Sequence, residues 1–161
     1  MGASHTWHPG TDRLSGEWPL VPSLLPDELL SSWLVRAALD HLGPDRIDHG
    51  VRAIEDPELV RRLAHEAVPL SVCIGSNLAL RVAPALEAHP IKALDEAGCY
   101  IMLGSDDPPH FGTSLAREYE LAARRGLDVE AITRGVFEFT FCDNETRERV
   151  AARHGIELSP W

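Results

Sequence analysis

The sequence predicts an α/β protein with a parallel sheet, and the order of its segments carries that prediction. Short β-rich apolar runs alternate with stretches whose apolar residues recur at helical spacing, and glycine and proline stand at the junctions. The composition, 44% hydrophobic and 25% charged with 12 Gly and 12 Pro in 161 residues, is that of a soluble globular domain large enough to bury a core. The 15 Lys+Arg against 25 Asp+Glu leave a formal charge of −10, which repels phosphate backbones and anionic lipid and speaks against nucleic acid or a membrane surface as a partner. No run reaches the roughly 18 consecutive apolar residues of a membrane span. The opening MGASHTWHPGTDRLSGEW has neither the basic start nor the apolar run of a signal peptide, so a cytoplasmic protein is expected.

Taken in order, Met1 to about Pro26 shows turn formers and scattered tryptophans without period and reads as a loop or tail. From Asp27, the residues Leu29, Leu30, Trp33, Leu34, Ala37, Ala38 and Leu42 recur at helical spacing until Gly43-Pro44 supplies a stop. A short segment at Arg46 to Gly50 follows, then a helix opening at Asp56-Pro57 with Leu59, Val60, Leu63, Ala64 and Ala67 on one face. Pro69 to Ile74 (PLSVCI) reads as a strand ending in Gly75-Ser76-Asn77. After a proline-containing loop comes a helix at Pro90 to Ala97 stopped by Gly98, then the strand Cys99 to Leu103 broken by Gly104. The rest reads as helices at Ser114–Arg124, Asp128–Phe141 and Asn144–Arg153. Strand, helix, strand, helix, strand is the pattern of a parallel sheet. The cysteines, Cys73, Cys99 and Cys142, are odd in number and far apart, and read as buried free thiols.

In such a sheet every strand's C-terminal end points to one face, where sites are built. That face receives His49 after the first strand, Asn77 after the second and Asp106-Asp107 after the third. Neighbouring residues of a strand project to opposite sides, so the two aspartates act as a pair only if the strand has already bent. One can ligate a divalent metal while the other accepts a proton or hydrogen bond. Equally, Asp-Asp-Pro-Pro can be a turn with an aspartate capping the next helix. His49, before Gly50 where the backbone can turn sharply, is a candidate ligand or general acid, or a satisfied strand-end histidine. His110 is placed to reach the same face. His5 and His8 stand in the aperiodic tail and read as solvated. Phosphate-binding glycine loops, the Gly-x-Ser-x-Gly nucleophile elbow and the cysteine zinc motif of cytidine deaminases do not occur.

Arg46-Ile47-Asp48-His49-Gly50-Val51-Arg52, Glu55-Asp56-Pro57, Val72-Cys73 with Ser76-Asn77, His89-Pro90 and Ser105-Asp106-Asp107-Pro108-Pro109-His110-Phe111-Gly112-Thr113 together resemble, in order and spacing, the C-terminal part of the adenosine and adenine deaminases, over about Ala37 to Gly155. The resemblance implies a partial (β/α)8 barrel: its last three strand-helix units with terminal helices in residues 37–161, preceded by an atypical segment in 1–36. It also implies zinc-dependent hydrolysis of a purine 6-amino group, on a nucleoside or a nucleobase. Asp106 matches the zinc-ligating aspartate, Asp107 the aspartate that orients the water and bonds the purine ring, and His49 the histidine that steadies the attacking hydroxide. Asp48, Ser76-Asn77 and Ser105 lean to the adenine branch, Phe111-Gly112-Thr113 to the adenosine branch. Cys73 is followed by Ile74 where the family usually has proline.

The family's His-x-His and His-Ala-Gly-Glu motifs are missing, and 161 residues fall well short of the roughly 250 of a complete barrel. Catalytic zinc takes three protein ligands, so this chain is expected to be a truncated member that does not hold zinc or turn over alone. The alternative is a non-catalytic half-barrel that pairs with another chain or with itself, since three parallel strands outside a closed barrel leave edges and a face uncovered.

Overall fold

The architecture comes from a computed structural model that describes residues 30–158. Helix α1 (Leu30–His41) is followed by strand β1 (Ile47–Asp48), a 3₁₀ turn (Gly50–Glu55) and helix α2 (Pro57–His65). Strand β2 (Leu70–Val72) leads directly into helix α3 (Ile74–Ala79). A short 3₁₀ turn at Leu86–Ala88 precedes helix α4 (Ile91–Glu96) and strand β3 (Ile101–Leu103). Helices α5 (Pro108–Phe111), α6 (Leu115–Arg124), α7 (Val129–Val136) and α8 (Asn144–Arg153) complete the described chain. No described helix is long and apolar enough to cross a membrane.

The strands lie in the order β1-β2-β3, all parallel, with Ile47, Leu70 and Ile101 in one row and Asp48, Ser71 and Met102 in the next. Residues in one row project to one face and successive rows alternate, so the register sorts the side chains. Leu70 and Val72 are fully buried and Ile101 nearly so, packed with Val51, Leu59, Leu63, Ile91 and Leu94 from the flanking helices and turn. The opposite row is polar and open: Asp48 is exposed, and Ser71 and Met102 are half-buried.

The helices start where their caps dictate. Asp56 takes the amides of Glu58 and Leu59 on Oδ1 at 3.0 and 3.2 Å, with Pro57 at the first helical position of α2. Asp56 also pairs with Arg36 of α1, which ties the first helix to the second. Asp128 and Asp143 cap α7 and α8 in the same way.

Four local readings are corrected. Gly75-Ser76-Asn77 is helical, because the turn after β2 closes at once through the Asn77 amide onto the Cys73 carbonyl at 3.0 Å. Gly50–Glu55, which has no clear period, is a 3₁₀ turn with Val51 and Ala53 pressed into the core. The helix expected over Asp128–Phe141 ends at Val136, and a run of turns carries Phe139 onto Tyr100, edge to face at 5.0 Å between ring centres. Finally, Cys73 and Cys99 are buried free thiols but Cys142 is exposed.

Candidate active site

The three strand ends meet at one edge. The His49 amide bonds the Ser71 carbonyl at 2.9 Å and the Gly104 amide bonds the Val72 carbonyl at 3.0 Å, so the chain leaving β1 and the chain leaving β3 flank the end of β2. Two inter-strand spacings put their backbones roughly 10 Å apart, a gap long side chains or a small ligand can bridge. His49, Asp106, Asp107 and His110 are all exposed there.

Backbone conformation singles out two of these residues. Among the described residues, four other than glycine have positive φ, and His49 (59°) and Asp106 (54°) are two of them. Non-glycine residues pay for this region with about 1 kcal/mol or more and cluster where a side chain must be aimed. The sharp turn expected at Gly50 therefore lies at His49 itself. Gly50 serves packing instead: a Cβ there would lie 2.8 Å from Leu70 Cδ2 and 3.0 Å from Ile47 Cγ2.

β3 ends at Leu103 and the chain turns at Asp106 itself, so the two aspartates lie beyond the strand and are not a simple alternating pair. Asp107 caps α5, its Oδ1 accepting the His110 amide at 3.2 Å, and α5 closes at Gly112. The capping alternative is thus realised by Asp107, while Asp106 makes no side-chain cap.

Beneath the turn sits Cys73. Its thiol is pushed up to about 11, first by burial and then by the charges of Asp106, Glu118 and Asp48, against which the Asp106 amide facing the sulfur acts. A thiol so raised stays protonated at neutral pH and is no nucleophile. Gly104 makes room for it: a Cβ there would lie 3.1 Å from Cys73 Sγ and 3.4 Å from Ser71 Oγ.

Asn77 does not reach the edge. It is 3% exposed and its Oδ1 accepts Nε2–H of buried His89 at 3.0 Å, while His89 Nδ1 accepts the Ile91 amide at 3.2 Å. This pair fastens α3 to α4. Sequence reasoning also missed Glu118, fully buried on α6. Arg117 and Glu120 beside it are exposed, and only its place on the apolar face with Leu121 and Ala122 could have flagged it.

The donors do not make a metal centre by themselves. Among the described residues, no group of three or more His, Cys, Asp or Glu could hold a metal ion. Catalytic zinc needs three protein ligands, so the described residues do not fit it, and His5 and His8 lie outside them.

A three-stranded parallel sheet flanked by helices, with polar residues gathered at its C-terminal edge, is the arrangement of one segment of a (β/α)8 barrel. A family model described as adenosine deaminase matches residues 27–153, and the chain belongs to that family. It is 54% identical over 129 residues to an adenine deaminase of Sinorhizobium medicae, covering 78% of this chain and 40% of that protein. Among solved structures, the adenine deaminase of Arthrobacter aurescens superposes with a TM-score of 0.69 at 31% identity, over 78% of this chain and 39% of that one. An amidohydrolase of Burkholderia ambifaria with bound Zn superposes at 0.65 with 26% identity, over 73% and 34%. The chain thus spans about 40% of the length of the curated relatives it matches.

Proposed function

We propose that this chain supplies the last three strand-helix units, residues 37–161, of a zinc-dependent purine aminohydrolase barrel, and that it does not turn over alone. The observation supporting this is the shared edge: His49 and Asp106-Asp107 leave parallel strands on either side of β2, and His49 and Asp106 are held in strained backbone conformations. In this reading His49 hydrogen-bonds the oxygen that attacks the purine, Asp107 accepts from the attacking oxygen's proton or the ring, and Asp106 is one carboxylate of a ligand set completed by residues beyond those described. The relatives matched at 54% and 50% identity are adenine deaminases, which favours adenine over adenosine as the purine. A cytoplasmic setting, with neither nucleic acid nor membrane as partner, accords with the −10 charge.

Fragment complementation tests it. The chain is mixed, with zinc, with the Sinorhizobium medicae adenine deaminase lacking its matched 129 residues, and ammonia release from adenine is followed. Each part alone should be silent and the mixture active, with activity lost on Asp106→Ala. A silent mixture, a mixture whose activity survives Asp106→Ala, or any turnover by this chain alone refutes the reading.

A second reading, a non-catalytic half-barrel paired with another chain or a second copy, has its own observation: β1 and β3 are the outer strands of the described sheet, and in the Asp48-Ser71-Met102 row Asp48 is exposed and the other two are only half-buried. A defined oligomer by light scattering, with no zinc uptake and no activity in the mixture, would favour it.

A further inference from the structure

Glu118 is the only Asp or Glu among the described residues that is wholly withdrawn from solvent. It stands in the first turn of α6, but its partners belong to two other parts of the chain. The Gly75 amide at the start of α3 donates to both oxygens, at 3.2 Å to Oε1 and 3.0 Å to Oε2, and Thr113 Oγ1 donates to Oε1 at 2.6 Å. Among the described residues no salt bridge reaches it. Space has been made for it, since a Cβ on Gly75 would lie 2.5 Å from Oε1 and 3.0 Å from Thr113 Oγ1.

A buried carboxyl without a cation is expensive, and an apolar residue of similar size would fill the same volume more cheaply. What the carboxyl adds is a fixed separation between two backbones. Gly75 is two residues past Cys73, at the end of β2. Thr113 ends the turn that carries the aspartates: its amide closes onto the Pro108 carbonyl at 3.2 Å, and Pro108 opens the helix capped by Asp107. Through one side chain, the end of β2 and the far end of the Asp106-Asp107 loop are clamped together.

We infer that Glu118 is a positioning residue, which holds the Gly75 amide and the Thr113 hydroxyl at once and so sets the Asp106-Asp107 turn against the end of β2. Its consequence for turnover rests on the purine aminohydrolase reading; its consequence for the geometry of the turn does not.

Three variants test it: Thr113→Val, which removes one hydrogen bond and keeps the volume, Glu118→Gln, which keeps an acceptor, and Glu118→Ala. Two readouts are taken, the ¹H–¹⁵N amide resonances of Gly75, Asp106 and Asp107 in the 161-residue chain and kcat with KM for adenine in the complemented mixture. Thr113→Val should remain folded with a modestly lowered melting temperature, displace the Asp106 and Asp107 amides, and lower kcat by about 10- to 100-fold while KM moves far less. Glu118→Gln should restore most of what Glu118→Ala loses. The inference fails if Thr113→Val leaves both amides and kcat unchanged, or if Glu118→Gln is as damaging as Glu118→Ala. Should the parent mixture show no turnover, the functional reading fails by itself, and the amide displacements alone decide: movement upholds the clamp and none overturns it.

Discussion

Acid should loosen this fold through one histidine. His89 is 1% exposed and both ring nitrogens are engaged, Nδ1 as acceptor from the Ile91 amide and Nε2–H as donor to Asn77 Oδ1. That arrangement needs the neutral ring. Burial first, and the charge of Arg125 second, hold its pKa down to about 4 from the ordinary 6.5. Between those values the unfolded chain binds a proton that the folded chain refuses, so stability rises with pH there. The contribution is fully present above about pH 6.5 and is lost as pH falls toward 4. A gap of that size corresponds to about 3 kcal/mol, a large share of the roughly 5–15 kcal/mol that holds a domain together. Urea unfolding of the parent and of His89→Gln, at several pH values across this window, isolates the term, because other titrating groups are common to both. The variant should be the less stable at neutral pH, from lost packing and hydrogen bonding, and the difference should shrink by about 2–3 kcal/mol on acidification. A difference that does not change with pH refutes the assignment of a buried neutral imidazole.

Four further outcomes follow from the same geometry. Leu63, fully buried on α2, should cost about 2–5 kcal/mol of unfolding free energy when changed to Ala, read from the urea midpoint. Gly50→Ala, whose Cβ would meet Leu70 Cδ2 at 2.8 Å, should cost about 1–3 kcal/mol in the same assay. Among the described cysteines, iodoacetamide at neutral pH should modify exposed Cys142 quickly and leave Cys73 and Cys99, both buried with raised pKa values, until the chain unfolds; mass spectrometry of the time course checks it. His49→Gly should stabilise the chain by roughly 0.5–1 kcal/mol, since glycine adopts φ 59° without strain, and a lower urea midpoint would show that the imidazole has a structural role instead.

The elements were legible wherever local chemistry sets them. Asp56-Pro57 announces α2, Gly98 ends α4, and the PLSVCI run holds β2, because caps, stops and β-rich runs act within a few residues. What depends on tertiary packing was not legible. Gly50 looks like a turn residue, but the turn is taken by His49 and the glycine is there because Leu70 and Ile47 crowd it. Asn77 looks like a strand-end amide, yet the helix begun at Ile74 swings it inward to His89, twelve positions further along. Glu118 lies in a helix whose charged residues otherwise face water, and only the absence of a Cβ at Gly75, 43 positions away, lets it in. Motif spacing put His49, Asp106 and Asp107 on one edge; nothing in that spacing told which of them would bear the strained backbone.

Strain and charge fall at the same place, and together they say how this edge behaves. His49 and Asp106 occupy left-handed conformations, and Asp106, Glu118 and Asp48 all add to the field that raises the Cys73 thiol. The strained conformations work against the stability of the isolated chain and are not repaid by burial, since His49 and Asp106 are exposed. A complementary surface that docks on the exposed side chains of this edge in the arrangement the turns give them would bind the folded state in preference to the unfolded one. Such a ligand raises apparent stability in proportion to the logarithm of its concentration over its dissociation constant. The part of the fold that looks least economical in the chain by itself is therefore the part best suited to being completed from outside.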